Sequence, residues 1–198
     1  MDSAVIALAE ISNLKLIKGF PTSRASHAGE IPCRSVSTIK NNDVSKFFTS
    51  KEEIGKSDSE LSEALDILIS VEGGSAGEIL IVTEEMGEFV PSQQVVTLRV
   101  VDKKFTDPWY VAAFLSSSVG QTAIDQLSQG VGIKRIPLRN LQDLMLPLPA
   151  LEEQRKIGGR FHALIDSIAI HKAVINCFQD LLEAQLDLAF YPKDQLNV

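Results

Sequence analysis

The chain has 198 residues, 44% of them hydrophobic and 23% charged, and carries a net charge of −7, an ordinary globular composition that suits one or two domains and excludes a disordered chain. No apolar run approaches the ~18 residues that a membrane span requires, and Met1-Asp2-Ser3 lacks the basic region and apolar stretch of a secretory leader, so cytoplasm is the expected compartment. Cys33 and Cys177 lie far apart with no CxxC spacing, which argues against a zinc site or a disulfide framework and leaves both as small packing residues.

Short strands and turns dominate the first three quarters. Val5 to Gly19 reads as a strand, a helical turn and a second strand ending at Gly19-Phe20-Pro21, followed by a polar loop. Ile31 to Ile39 reads as another strand, and the charged stretch Asn41 to Glu63 as loop with a helical turn or two. Leu65 to Val71 has the composition of a buried strand. With the turn Glu72 to Glu78 and the strand Ile79 to Val82 it predicts a hairpin with a glycine-rich tip. Phe89-Val90 and Val95 to Val101 supply more strand. Asp107-Pro108 then opens a helix, with Asp as N-cap and Pro at the first helical position, and Trp109, Ala112, Ala113 and Leu115 on its buried face. A second helix runs from about Gly120 to Leu127. Ile136 to Leu148 is extended, with a turn of helix near Leu138 to Asp143.

From Arg160 to Tyr191 there is no Gly or Pro, and apolar residues recur at alternating steps of four and three. Ile157, Leu164 and Phe178 fall on one heptad register, and Phe161, Ile168, Ile175, Leu182 and Ala189 on the other, with His171 and Gln185 as polar interruptions. A helix from Leu151 to Tyr191 would be roughly 60 Å long at ~1.5 Å per residue. We expect an arm whose narrow seam pairs with another helix. Val174, Leu181 and Leu186 widen it into a surface for a second partner, and the competing reading is a helix buried in a small bundle. Gly158 and Gly159, near its start, mark either a close helix approach or a flexible root.

Several of these segments, in this order, resemble a known family. They are the Leu-Ala-Glu-Ile start with its following Lys-Gly, then Leu65 to Ile69 leading into Gly73-Gly74-Ser75-Ala76-Gly77, then Asp107-Pro108-Trp109-Tyr110 with a helix ending Leu115-Ser116-Ser117. Gly130, Ile136 and the run from Leu146 to Ile157 follow. The most specific part is Pro-Leu-Pro-x-Leu-Glu-Glu-Gln-x-x-Ile. Over nearly its whole length the chain resembles the specificity subunit of type I restriction-modification systems, in a half-size form.

The resemblance implies an α+β fold: a target recognition domain over residues 1–148 that reads one half of a split double-stranded DNA site, and a coiled-coil spacer helix with a short tail over 149–198. Full-length members carry two of each. A single set implies a homodimer through the C-terminal helix, or a piece of a longer protein, and a two-fold dimer reads inverted-repeat half-sites. The expected partners are DNA, a separate DNA adenine methyltransferase subunit that carries S-adenosylmethionine, and a restriction nuclease as a further component. No cofactor is expected on this chain.

Charge is awkward for that reading, because residues 1–150 hold 14 Lys and Arg against 19 Asp and Glu. Binding therefore rests on how many basic groups share a face, with Arg99, Lys103, Lys104, Lys134, Arg135 and Arg139 as the available set. Lys134 and Arg135 are the first choice for DNA contact, followed by Arg24, Arg34, Ser75, Gln93 and Gln94. Arg and Gln can pair bidentately with guanine and adenine, whereas Lys more often holds phosphate. Gly74 and Ser75 at the hairpin tip would let backbone approach DNA; the plainer reading is a flexible tip. A phosphate loop is disfavoured there, since Glu78 stands where Lys-Ser/Thr is needed. The partner-helix residues are Ile157, Phe161, Leu164, Ile168, His171, Ile175, Phe178 and Leu182.

Asp107 to Tyr110 also resembles the Asp-Pro-Pro-Tyr signature of amino-methyltransferases, but no Phe-x-Gly-x-Gly loop precedes it, and a capped helix accounts for the same letters. His27, His162 and His171 have no ligand or triad spacing, and no metal cluster is evident. We expect no enzyme. The alternatives are a coiled-coil adaptor or regulator that binds only protein, and a methyltransferase-like enzyme using Asp107 to Tyr110.

Overall fold

Strand β1 (Ala4–Ala7) pairs antiparallel with the last strand, β9 (Met145–Leu148), so the two ends of the strand-rich region close on each other. The computed structural model describes residues 4–11, 13–26, 29–41, 43, 45–130 and 133–190; His27, Gly132, Tyr191 and the short tail lie outside them. The fold is α+β and divides into two compact units, residues 1–159 and 160–198.

In the first unit, β2 (Leu14–Lys18), β8 (Val95–Val100), β5 (Ile67–Ser70) and β6 (Ile79–Ile81) form an antiparallel sheet in that order. Strands β4 (Phe47–Thr49), β3 (Ile31–Arg34) and β7 (Val90–Pro91) form another, in which β3 and β7 run parallel. Strand β5 is buried at every position, which explains its uninterrupted apolar run. Val36, Leu68, Val82, Phe89 and Val95 pack into one cluster, and Phe20, Ile31, Cys33, Ile54 and Val90 into a second. Burial pushes the Cys33 thiol up to about 11, as suits a packing residue, whereas Cys177 is exposed and packs nothing.

Two expectations fail locally. The strand read through Ile39 ends at Arg34. Ser35 Oγ accepts from Thr38 N at 3.1 Å and starts α1 (Val36–Lys40). The stretch Asn41 to Glu63, read as loop with a helical turn or two, also holds strand β4, and its helical turn is α2 (Lys51–Gly55), where Ser50 Oγ accepts from Glu53 N at 3.3 Å.

Asp107 caps α3 (Pro108–Ser116), accepting from Tyr110 N at 2.9 Å, and α4 (Ser118–Leu127) and α5 (Leu138–Gln142) follow. The final helix, α6 (Leu151–Phe190), is rooted on α3. Gln154, 1% exposed, accepts from Asp107 N at 3.0 Å and donates to Pro149 O at 2.8 Å and Phe105 O at 3.3 Å. Tyr110 Oη donates to Pro147 O. The Pro-Leu-Pro-x-Leu-Glu-Glu-Gln run and the Asp-Pro-Trp-Tyr run are thus two sides of one joint.

Gly158 completes that joint. A Cβ there would stand 2.8 Å from Tyr110 N, and nearer still to the Asp107 carboxylate, whereas one at Gly159 meets nothing within 4 Å. Gly158 therefore marks close approach. Gly158→Ala should destabilise the first unit by about 1–3 kcal/mol through overpacking. Gly159→Ala should stabilise α6 by about 1 kcal/mol through helix propensity. Opposite shifts of the thermal midpoint would confirm the pair, and equal shifts would refute it.

Candidate nucleic-acid interface

Hydrogen bonds carry four distant stretches to one edge of the first unit. Val71 N donates to Gln94 O at 2.8 Å, Ile136 N to Val71 O at 2.8 Å, and Gly73 N to Lys134 O at 3.0 Å. The segment Val71–Gly73 thus lies between the Gln93-Gln94 turn and Lys134–Ile136. Thr22 N donates to Gln93 Oε1 at 3.3 Å and draws in the short 3-10 turn that ends at Arg24. Arg24, Gly74, Gln93, Gln94, Lys134 and Arg135 are therefore neighbours in the fold, though up to 111 positions separate them in sequence.

Their side chains are not equally available. Arg135, Gln93 and Gln94 are exposed, and no side-chain partner of Arg135 or Gln94 is found among the described residues. Lys134 forms an ion pair with Asp125, which offsets its charge. Arg24 Nη1 donates to Lys56 O at 3.3 Å. The Arg34 guanidinium lies over the Phe89 ring, 5.8 Å from its centroid, with Nε buried and unpartnered. Ser75 Oγ lies 2.9 Å from Ser70 Oγ, so its hydroxyl bonds back onto β5, while Gly74 is exposed. The tip is tied down: Gly77 O accepts from Gln121 Nε2 at 3.0 Å, and positive φ angles at Gly73 (86°) and Gly77 (97°) require glycine.

Arg99 does not share this edge's free charge. Its guanidinium meets both Asp66 oxygens at 2.8 Å, Glu60 at 2.9 Å and Leu61 O at 2.7 Å, and also pairs with Glu63. The Asp66 hydrogen bonds raise its pKa further, so it stays a fixed internal cation. Sequence reasoning missed Lys18 and Lys46. Both line grooves beside Gln93, one of about 620 Å³ that includes Lys46 and one of about 270 Å³ that includes Lys18 and Arg135. No motif or period marks them; only the tertiary fold brings them there.

The second unit continues α6, and every residue from Ile168 to Phe190 is exposed. The seam residues Leu164 (63% exposed), Ile168 (50%), Ile175 (54%), Phe178 (66%) and Leu182 (57%) are uncovered in the single chain; Ile157 is exposed and Phe161 half-buried. His171 Nδ1 lies 2.6 Å from Ser167 O. Val174 and Leu181, expected to widen the seam for a second partner, belong to a second seam of their own. Ala163, Ser167, Ile170, Val174, Cys177, Leu181, Ala184 and Leu188 repeat in the same alternation of four and three. Each of its positions stands one residue before a position of the first, so at ~100° per residue it is rotated by about 100°. Among the described residues no helix is long and apolar enough to cross a membrane, and no group of three metal-ligating side chains occurs.

The first unit is strand-rich and gathers amide and guanidinium side chains at one edge, and the helix that follows carries uncovered heptad seams. The chain belongs to the family described as type I restriction modification DNA specificity domain, whose model matches residues 2–177. It is 34% identical over 99 residues to the type I restriction enzyme EcoBI specificity subunit of Escherichia coli. It is 26% identical over 118 residues to the StySPI specificity subunit of Salmonella potsdam. These alignments cover 50% and 60% of this chain but only 20% and 26% of the relatives.

In fold it is similar to the S subunit of a type I system from M. genitalium, with a TM-score of 0.66 at 18% identity, covering 99% of this chain and 49% of that one. The HsdS subunit from Thermoanaerobacter tengcongensis gives 0.58 at 18% identity, over 96% and 45%. The chain therefore spans about half the length of the solved structures it matches.

Proposed function

We propose that this chain is a non-catalytic, cytoplasmic specificity subunit that reads one half of a bipartite double-stranded DNA site. A separate subunit performs the adenine methylation and carries S-adenosylmethionine. Two copies pair through the seam of Ile157, Phe161, Leu164, Ile168, His171, Ile175, Phe178 and Leu182. Two-fold symmetry then places two identical readers on inverted half-sites. The second seam, around Ile170, Val174, Leu181 and Leu188, docks the methyltransferase subunit, because a helix with two apolar stripes can cover both only against two neighbours.

The observation that carries the reading is the meeting of Arg135, Gln93, Gln94 and the glycine tip at one edge, in a chain of the DNA specificity domain family. Asp107 to Tyr110 favours no second reading, because the Asp107 carboxylate and the Tyr110 hydroxyl are engaged in the joint that roots α6. We expect Arg135→Ala to weaken binding of the assembled complex to duplexes of every sequence and to reduce the salt slope by about 1. Lys134→Ala, already neutralised by Asp125, should act less. Unchanged affinity and salt dependence in both, measured by fluorescence anisotropy, would remove this edge from the interface.

A further inference from the structure

Gln93 borders two grooves and Gln94 one of them, and both side chains are exposed. The groove of about 620 Å³ includes both glutamines and has Lys46 on its wall; the groove of about 270 Å³ includes Gln93 and has Lys18 and Arg135 on its wall. Among the described residues, none of these three cations has a side-chain partner. An exposed pair of amides flanked by two channels with free cations suits the DNA major groove, whose edges are the two phosphate backbones.

The turn is rigidly mounted. Val95 N donates to Ser92 O at 2.9 Å, Ser92 N to Arg34 O at 2.8 Å, and Val71 N to Gln94 O at 2.8 Å. Gly19 packs so closely beneath it that a Cβ there would stand 2.8 Å from Val95 O and nearer still to Ser92 O. The two side chains differ in what they can offer. Gln93 Oε1 already accepts from Thr22 N at 3.3 Å, which leaves its amide as a donor. Among the described residues, nothing engages the Gln94 side-chain carbonyl or amide, the pair needed for the N6 donor and N7 acceptor of adenine.

We propose that Gln94 reads an adenine in the major groove, with Lys46 on one side of the turn and Lys18 and Arg135 on the other holding the two backbones. Asp43 and Glu72 stand on the same walls and weaken the field, so base edges rather than net charge carry the recognition. This rests on the DNA-reading function proposed above.

The test uses the full chain co-expressed with its methyltransferase subunit, reading the methylated motif across the host genome and the affinity of the assembled complex for a duplex bearing it. Gln94→Ala should leave every position of the motif unchanged except one adenine in each half, where preference falls roughly 10- to 100-fold. Gln94→Glu should move that position towards cytosine, whose N4 amino group a carboxylate accepts. Lys46→Ala should keep the motif while lowering affinity for all sequences and reducing the salt slope by about 1. A Gln94→Ala motif identical to that of the parent overturns the proposal while leaving the DNA-reading function standing. Absence of any motif with the parent chain overturns the function itself.

Discussion

Ile175→Glu is expected to convert the chain from dimer to monomer in light scattering, and Ile168→Glu to do the same. Both isoleucines lie on the first seam, 54% and 50% exposed in the single chain. A partner helix would bury most of that surface, worth about 2 kcal/mol per side chain. In a symmetric pair each substitution counts twice, so the loss is about 4 kcal/mol, or roughly 1,000-fold in dissociation constant, before the cost of burying a carboxylate is added. Helix content and melting of residues 1–159 should stay unchanged. Val174→Glu, on the second seam, should leave the dimer intact and abolish association with the methyltransferase subunit. A parent chain that is monomeric at all concentrations would remove the two-fold model.

Arg99→Ala should be the most damaging single change in the first unit. Asp66 is 1% exposed, and its carboxylate is held by the Arg99 fork and by Glu63 N at 2.8 Å. Removing the guanidinium leaves a buried charge without its counter-ion, which costs about 3–5 kcal/mol. At about 2–4 °C per kcal/mol for a unit of this size, the thermal midpoint should fall by roughly 10 °C. The same fork ties Glu60, Leu61 and Glu63 to the sheet, and Leu65 sits at φ 73°, so the strap from Glu60 to Asp66 should loosen as well. Arg99→Lys recovers little, since an ammonium lacks the planar fork. Lys51→Ala, which breaks the exposed pair with Glu88, should change stability by less than ~0.5 kcal/mol. Equal effects of Arg99→Ala and Lys51→Ala would show that the internal cluster is not structural.

What could be read from the sequence followed the strength of local signals. The buried run of β5, the hairpin with its glycine-rich tip, the Asp-Pro cap of α3 and the long helix α6 are each carried by neighbouring residues, and the structure has them where expected. Strand β4 and helix α1 are three and five residues long, too short for a period to emerge, and the only local mark of α1 was its serine cap. Of the second seam only Val174 and Leu181 stood out in the sequence, because Ala163, Ser167 and Cys177 dilute its apolar count. Arg99 and Lys134 looked like free cations in the sequence. Only the fold shows that Asp66 and Asp125 offset them, while Lys18 and Lys46, which nothing local marks, stand in the grooves.

The central claim is that residues 1–159 choose the DNA sequence that a separate enzyme methylates. The direct measurement is a genome-wide map of methylated adenines in cells expressing the methyltransferase subunit with either this chain or a hybrid whose residues 1–159 come from a relative. The account predicts an inverted-repeat motif for this chain and a different motif, at the same half-site spacing, for the hybrid. An unchanged motif after the exchange would contradict it.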